Sequence, residues 1–385
     1  MHIRNVRIYK EDKRFEEGEI WIENGLFADS AAAGEPEETL DGEGCYAIPG
    51  LIDIHFHGCM GYDFCDGTEE AIAGIAEYEA SVGVTGINPA TMTLPVEELE
   101  DILATGAAYG RKQKDRPDQG RADFLGVNME GPFISEAKKG AQDARNILLC
   151  DVDVFRRFQK AAEGTVNYIG VAPEREGALE FVEAVKDEVH VSLAHTNADY
   201  DSAKAAYDRG ACHAVHLYNA MPAFTHRAPG VVGAAFDHPQ VKVELISDGV
   251  HIHPSVVRAV FQLFGAHRVI LISDSLRATG MPDGRYPFGG QEIEVHGNRA
   301  TMADDPNTLA GSVSDLMACM RSAVSFGIPL HDAVRAAAVN PAQVLGIFDR
   351  LGSLDVGKTA NLAILDRDLN LKDVFFRGQL VDRGA

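Results

Sequence analysis

From about Leu51 onward the chain repeats one pattern, an apolar strand, a polar junction and an amphipathic helix, for roughly 300 residues. Such alternation specifies parallel βα units, because strands buried on both faces need the connecting helices to cover them. The clearest predicted strands are Phe124–Met129, Val166–Val171, Val189–Ala194, Ala214–Val215, Val241–Ile246 and Val269–Ile272. Helices are predicted between them, for example over Asp199–Arg209 and over Pro254–Phe264, where proline suits a first helical turn. An open doubly wound sheet would place a glycine-rich phosphate loop after its first strand, and the sequence has neither G-x-G-x-x-G nor a Walker loop. The predicted fold is therefore α/β, a TIM-like (β/α)8 barrel over residues 51–346.

Two regions break the rhythm. Tyr286–Met302 alternates apolar and polar residues around a His296-Gly297-Asn298 turn, predicting a β-hairpin insertion around 286–302. The first fifty residues read as short strands at Arg4–Tyr9, Gly18–Ile22, Leu26–Ala28 and Tyr46–Ile48, and short strands return at Asn361–Leu365 and Val374–Phe376. Residues 1–50 and 347–385 are expected to join as a small β-sandwich domain built from both termini.

Charge narrows the partners. Of the 385 residues, 35 are Lys or Arg and 58 are Asp or Glu, a net charge of −23. That surface repels nucleic acid and anionic membranes, and taken alone it also argues against a small anionic substrate. The start lacks the apolar core of a signal peptide, and no run of apolar residues is long enough to span a bilayer. The six cysteines are scattered without a Cys-x-x-Cys pair, the usage of a reducing compartment, so the expected location is the cytoplasm.

Barrel geometry then selects residues. His55 and His57 follow the apolar run Leu51–Ile54, and side chains two apart on a strand point the same way, so both imidazoles can meet one metal. With 14 histidines in the chain, roughly 0.5 such pairs arise by chance. A second pair, His251 and His253, shows that location must decide. Glu130, His195, His216 and Asp274 each close a predicted strand, with Gly131-Pro132 expected to stop extension after Glu130. Singly, each has a plain structural reading: a loop carboxylate, satisfied histidines, a helix N-cap. Collected at the C-terminal mouth of a barrel they form a His2Glu set suited to a catalytic divalent metal with a position open for water, leaving Asp274 to handle protons.

The ordered motifs His55-Phe-His57-Gly, Met129-Glu-Gly-Pro-Phe133, Ala194-His-Thr196, His216-Leu-Tyr-Asn-Ala-Met-Pro222, His226-Arg-x-Pro-Gly230, Ser247-Asp-Gly-Val-His-Ile-His-Pro254, Ile272-Ser-Asp274 and Leu309-Ala-Gly-Ser312 span nearly the whole chain. With them the sequence resembles the N-acetylglucosamine-6-phosphate deacetylases of the amidohydrolase superfamily. The resemblance implies hydrolysis of an acetamide to free amine and acetate. It implies Glu130, His195 and His216 as the main metal site, His55 and His57 as a second, and one or two divalent ions, Zn, Fe, Mn or Co. It assigns Asp274 as catalytic acid/base and His251 to the acetamide carbonyl. Backbone amides of Asn219 and Ala220, together with Arg227, fall at phosphate positions, and Gln142 and Leu309 at sugar contacts. It further implies a homodimer in which Arg227 can reach across the interface.

Three positions depart from the family pattern: Gln142 and Asn128, where histidines are common, and Arg277 after the catalytic aspartate. An N-acetylgalactosamine-6-phosphate deacetylase is the near alternative. A dihydroorotase-like cyclic amidase is disfavoured because Glu130 occupies the ligand position where those enzymes use a carboxylated lysine. A silent sugar-phosphate sensor would have lost Asp274 or a metal ligand, and none is lost.

Overall fold

A computed structural model describes every residue except 13, 31–35, 37, 116–119 and 383–385. Its centre is a pair of parallel sheets whose strands follow chain order. The first holds Leu51–Asp53, Val84–Ile87 and Asp123–Phe124. The second holds Ala90–Thr91, Val127–Phe133, Val166–Val171, His190–Leu193, His213–Ala214, Lys242–Ile246 and Val269–Ile272. Backbone bonds knit the two together, Leu125 N–H to Ile87 O at 2.8 Å and Asn128 N–H to Pro89 O at 2.9 Å. The last strand also returns to the first: Asp274 N–H donates to His55 O at 3.0 Å and His57 N–H to Ser275 O at 2.8 Å.

Val269–Ile272 is wholly buried, as a strand covered on both faces must be. Helices lie between the strands, and several start at the polar junctions read from sequence. Asp199 accepts from Ser202 N–H to open Tyr200–Arg209, which Gly210 closes at φ 118°. Asp151 caps Val152–Ala161, and Pro254 begins Pro254–Phe264. Each side-chain cap contributes about 1 kcal/mol. Among the described residues no helix is long and apolar enough to cross a membrane.

Two sequence expectations are corrected. Gly131-Pro132 does not end its strand, which runs to Phe133 with Glu130 inside it. The pairing with Val166–Val171 slips between Met129 and Phe133, and this irregularity accommodates the proline, which has no N–H for the ladder. The 286–302 insertion is a three-stranded antiparallel sheet, Gly284–Phe288, Gln291–His296 and Arg299–Met302, rather than a hairpin. Gly289 and Gly290, both at positive φ, make the additional turn.

Strands from the two ends of the chain share one seven-stranded sheet, where Thr39–Pro49 pairs with Leu362–Leu365. Its edge strand Leu26–Ala28 curls back so that Phe27 N–H donates to Lys358 O at 2.9 Å. Ile3, Ala47, Leu362 and Phe375 are buried in its core.

Candidate active site

Glu130 lies within its strand, whereas His195, His216 and Asp274 sit just beyond theirs, on strained backbone. His195, His216 and Asp274 have φ of 43°, 27° and 49°, a region that non-glycine residues enter at a cost on the order of 1–3 kcal/mol each. Surrounding bonds hold them there: His216 N–H donates to Glu244 Oε2 at 3.1 Å, and Ser312 N–H donates to Asp274 O at 2.6 Å. Gly311 of the Leu309-Ala-Gly-Ser312 motif is required by the same contact, since a Cβ there would lie 2.5 Å from Asp274 O.

Glu130, His195 and His216 converge. Glu130 Oε1 lies 3.0 Å from Nε2 of each histidine, and the two Nε2 atoms are 3.2 Å apart. His195 Nδ1 faces Lys138 O at 2.8 Å and His216 Nδ1 faces Asn219 O at 3.2 Å. A carbonyl can only accept, so each Nδ1 carries a proton, and each ring turns its Nε2 toward the carboxylate. Two ring nitrogens and a carboxylate oxygen within 3.2 Å of one another, all buried, make a site for positive charge. The set of two imidazoles and one carboxylate fits a divalent metal with a free coordination position.

A second group, His55, His57 and Asp274, adjoins the first. Glu130 spans both, with Oε1 3.3 Å from His55 Nε2 and Oε2 3.3 Å from His57 Nε2. Asp274 Oδ1 is 3.4 Å from His57 Nε2. Burial opposes a charge on these rings, yet the neighbouring carboxylates outweigh it, raising His55 well above the usual histidine value and His57 to about 10. Burial likewise pushes Glu130 up, but His195 and His55 hold its carboxyl well below the ordinary range. Asp274 is also held low, by its hydrogen bond to His57 against burial. The cluster attracts positive charge.

Glu130, His195, His216, His57 and Asp274 floor a cavity of about 390 Å3 whose walls include His251, Gln142, Asn219, Ala220 and Leu309. His251 Nδ1 bonds Asp248 Oδ2 at 2.7 Å, and this contact overcomes burial to raise the imidazole above its usual value. Gln142 spends its amide on Glu130 and Thr93: Nε2 donates to Glu130 Oε2 at 2.7 Å, while Oε1 accepts from Thr93 N–H at 2.6 Å. Asn219 N–H is already spent on His216 O at 2.9 Å, whereas Ala220 N–H has no partner among the described residues. Arg227 is exposed and does not line the cavity. Of the two other departures, Asn128 donates to Ile54 O at 3.1 Å and Arg277 pairs with Asp66 at 2.7 Å, both away from the cavity lining.

Sequence reasoning missed two participants. Lys138 lines the cavity, and its carbonyl orients His195. Glu244 lies beneath the site, fully buried, and accepts from His55 Nδ1 at 2.8 Å. Its signal was a lone carboxylate between Val243 and Leu245 in an otherwise buried apolar strand.

The family pattern described as the amidohydrolase family matches residues 46–381. The chain belongs to the amidohydrolase family. This amidohydrolase is 34% identical over 385 residues to the N-acetylglucosamine-6-phosphate deacetylase of Bacillus subtilis (strain 168), covering 98% of this chain and 96% of that protein. It is 32% identical over 380 residues to an N-acetylgalactosamine-6-phosphate deacetylase of Escherichia coli O157:H7, with 98% of both chains covered. Among solved structures, the N-acetyl-D-glucosamine-6-phosphate deacetylase of Mycobacterium smegmatis, a mutant in complex with N-acetyl-D-glucosamine-6-phosphate, superposes with a TM-score of 0.90 at 31% identity over 99% of each chain.

Proposed function

We propose that this amidohydrolase hydrolyses N-acetyl-D-glucosamine 6-phosphate to D-glucosamine 6-phosphate and acetate in a divalent-metal-dependent reaction. The observation that carries the reading is the convergence of Glu130, His195 and His216 beside Asp274 and His251 in one cavity. Glu130, His195 and His216 hold the first cation, Zn, Fe, Mn or Co, and His55, His57 and Asp274 are placed for a second. A bound divalent cation supplies Lewis acidity that makes water nucleophilic at neutral pH.

Asp274 takes a proton from the attacking water as its oxygen bonds to the acetyl carbon. It returns that proton to the nitrogen as the C–N bond breaks, because an amide nitrogen cannot leave as an anion. His251, its ring held through Nδ1 by Asp248, turns Nε2 to donate to the acetyl oxygen as negative charge develops there. Ala220 N–H meets the phosphate; Asn219, Gln142 and Leu309 shape the sugar wall. Anchoring the remote phosphate turns binding energy into orientation of the acetamide.

In this reading the parallel strands close as a (β/α)8 barrel over 51–346, with a small β-sandwich unit from 1–50 and 347–385, in a cytoplasmic protein. The exposed Arg227 serves the cavity of a second copy in a homodimer. Mixing Arg227→Ala with Asp274→Asn subunits tests this: hybrids should regain activity that neither variant has, and no recovery removes the cross-subunit role.

The galactosamine relative supports one second reading, the epimer differing at the 4-hydroxyl. Side-by-side acetate release decides. A kcat/KM at least about tenfold higher for the glucosamine phosphate, worth about 1.4 kcal/mol, is expected; the reverse order transfers the assignment to the galactosamine epimer.

A further inference from the structure

We infer that Glu244 is a positioning residue that fixes His55 as a metal ligand and thereby sets the affinity of the His55–His57–Asp274 group, a role that rests on the metal-dependent reading above. Glu244 is fully buried in Lys242–Ile246, and both its oxygens are committed. Oε2 accepts from His55 Nδ1 at 2.8 Å and from His216 N–H at 3.1 Å, while Oε1 meets His213 Nε2 at 3.0 Å. With Nδ1 bonded to Glu244, Nε2 is the nitrogen of His55 left to yield its proton to a metal. That Nε2 is enclosed and has no hydrogen-bond partner among the described residues, and it stands 3.3 Å from Glu130 Oε1 and 4.0 Å from Asp274 Oδ1. An enclosed imidazole nitrogen facing two carboxylates, its ring fixed from behind, is oriented to ligate a cation.

The two groups are therefore oriented by different means. His195 and His216 are fixed by neutral carbonyls, of Lys138 and Asn219. In the second group His57 Nδ1 has no partner among the described residues, so there His55 is the anchored imidazole, and the anchor is a carboxylate. A carboxylate behind a ligating imidazole makes the ring a better electron donor, and losing such a partner typically costs 10–100-fold in metal affinity. Glu244 also adds a third negative charge, beside Glu130 and Asp274, to a region built for more than one cation. His213 closes the chain by bonding the oxygen that His55 does not use, which stops the carboxylate rotating away.

Substitution separates tautomer from charge. In Glu244→Gln the amide oxygen can still accept from His55 and His216, with the NH2 turned to His213, which accepts in its other tautomer; the geometry survives and the charge is lost. Glu244→Leu removes both. The test is calorimetric titration of chelator-stripped full-length protein with Zn2+ alone, alongside 15N spectra of the histidine rings and a thermal melt to check folding. Wild type should show two binding events. Glu244→Gln should weaken the second by about 10–100-fold while the first shifts by less than about threefold. Glu244→Leu should abolish the second event and move the His55 proton from Nδ1 to Nε2; where that variant does not fold, the glutamine variant and the wild-type His55 spectrum decide. The inference is overturned by a wild type that takes up one equivalent only, by unchanged second events, by both events weakening alike, or by a zinc-loaded wild type whose His55 carries its proton on Nε2. No acetate is measured, so this result and the fate of the deacetylase reading can be told apart.

Discussion

Asparagine in place of Asp274 is expected to lower kcat for acetate release by about 10²–10⁴-fold. The first metal equivalent and KM should stay close to wild type. Asn matches Asp in size, so the backbone at φ 49°, held by Ser312 N–H and by the bare edge of Gly311, has no steric reason to move. Glu130, His195 and His216 lose no contact with one another. What disappears is the ability to accept a proton from water and pass it to nitrogen, and nothing nearby replaces it, since the other carboxylate in the cavity floor, Glu130, is engaged with histidines. Steady-state kinetics together with elemental analysis check this. Near-wild-type turnover in the variant would remove Asp274 from the mechanism.

Glu130→Gln should fail differently, losing turnover and metal together. Glu130 is the carboxylate shared by both groups, within 3.3 Å of Nε2 of His55, His57, His195 and His216. A glutamine offers one neutral oxygen and one NH2, so it removes the charge that balances the cation and presents a donor where a ligand is needed. Metal uptake should weaken by more than about 100-fold, beyond the usual cost of losing a mere supporting partner, and activity should fall to background at any metal concentration that wild type saturates. The contrast with Asp274→Asn is the informative part. One variant keeps its first metal and cannot move protons; the other retains Asp274 and has nothing to activate water. If Glu130→Gln binds the first equivalent as wild type does, the metal does not sit on Glu130.

Much of this was legible in the sequence because strand periodicity and parallel strand order do the gathering. Apolar runs ending in Glu130, His195, His216 and Asp274 can only bring those side chains together if the strands are parallel, and parallel they are. Details that depend on backbone irregularity were not legible. Gly131-Pro132 reads as a stop, yet the ladder slips a register and carries on. The stretch around 286–302 reads as one hairpin turning at His296-Gly297-Asn298, and a further turn at Gly289-Gly290 adds a strand. Glu244 was hidden for another reason: its partners His55, His213 and His216 are 189, 31 and 28 residues away, and no local pattern announces them. The engagement of Gln142 with Glu130 likewise exists only in three dimensions.

The net charge of −23 pointed away from a small anion, and the cavity explains why that inference does not reach the site. Surface carboxylates beyond a Debye length of about 8 Å are largely screened at physiological salt. The cavity is lined by Lys138 and by Ala220, whose N–H has no partner among the described residues, and in the proposed reading these would meet the phosphate at contact distance.

The most direct test of the central claim is acetate released from N-acetyl-D-glucosamine 6-phosphate by chelator-stripped protein as a divalent metal is added back. Release should be absent without metal, rise in step with the first equivalent bound, and level off once both groups are filled. Acetate release that survives chelation, or none from fully loaded protein, would contradict it.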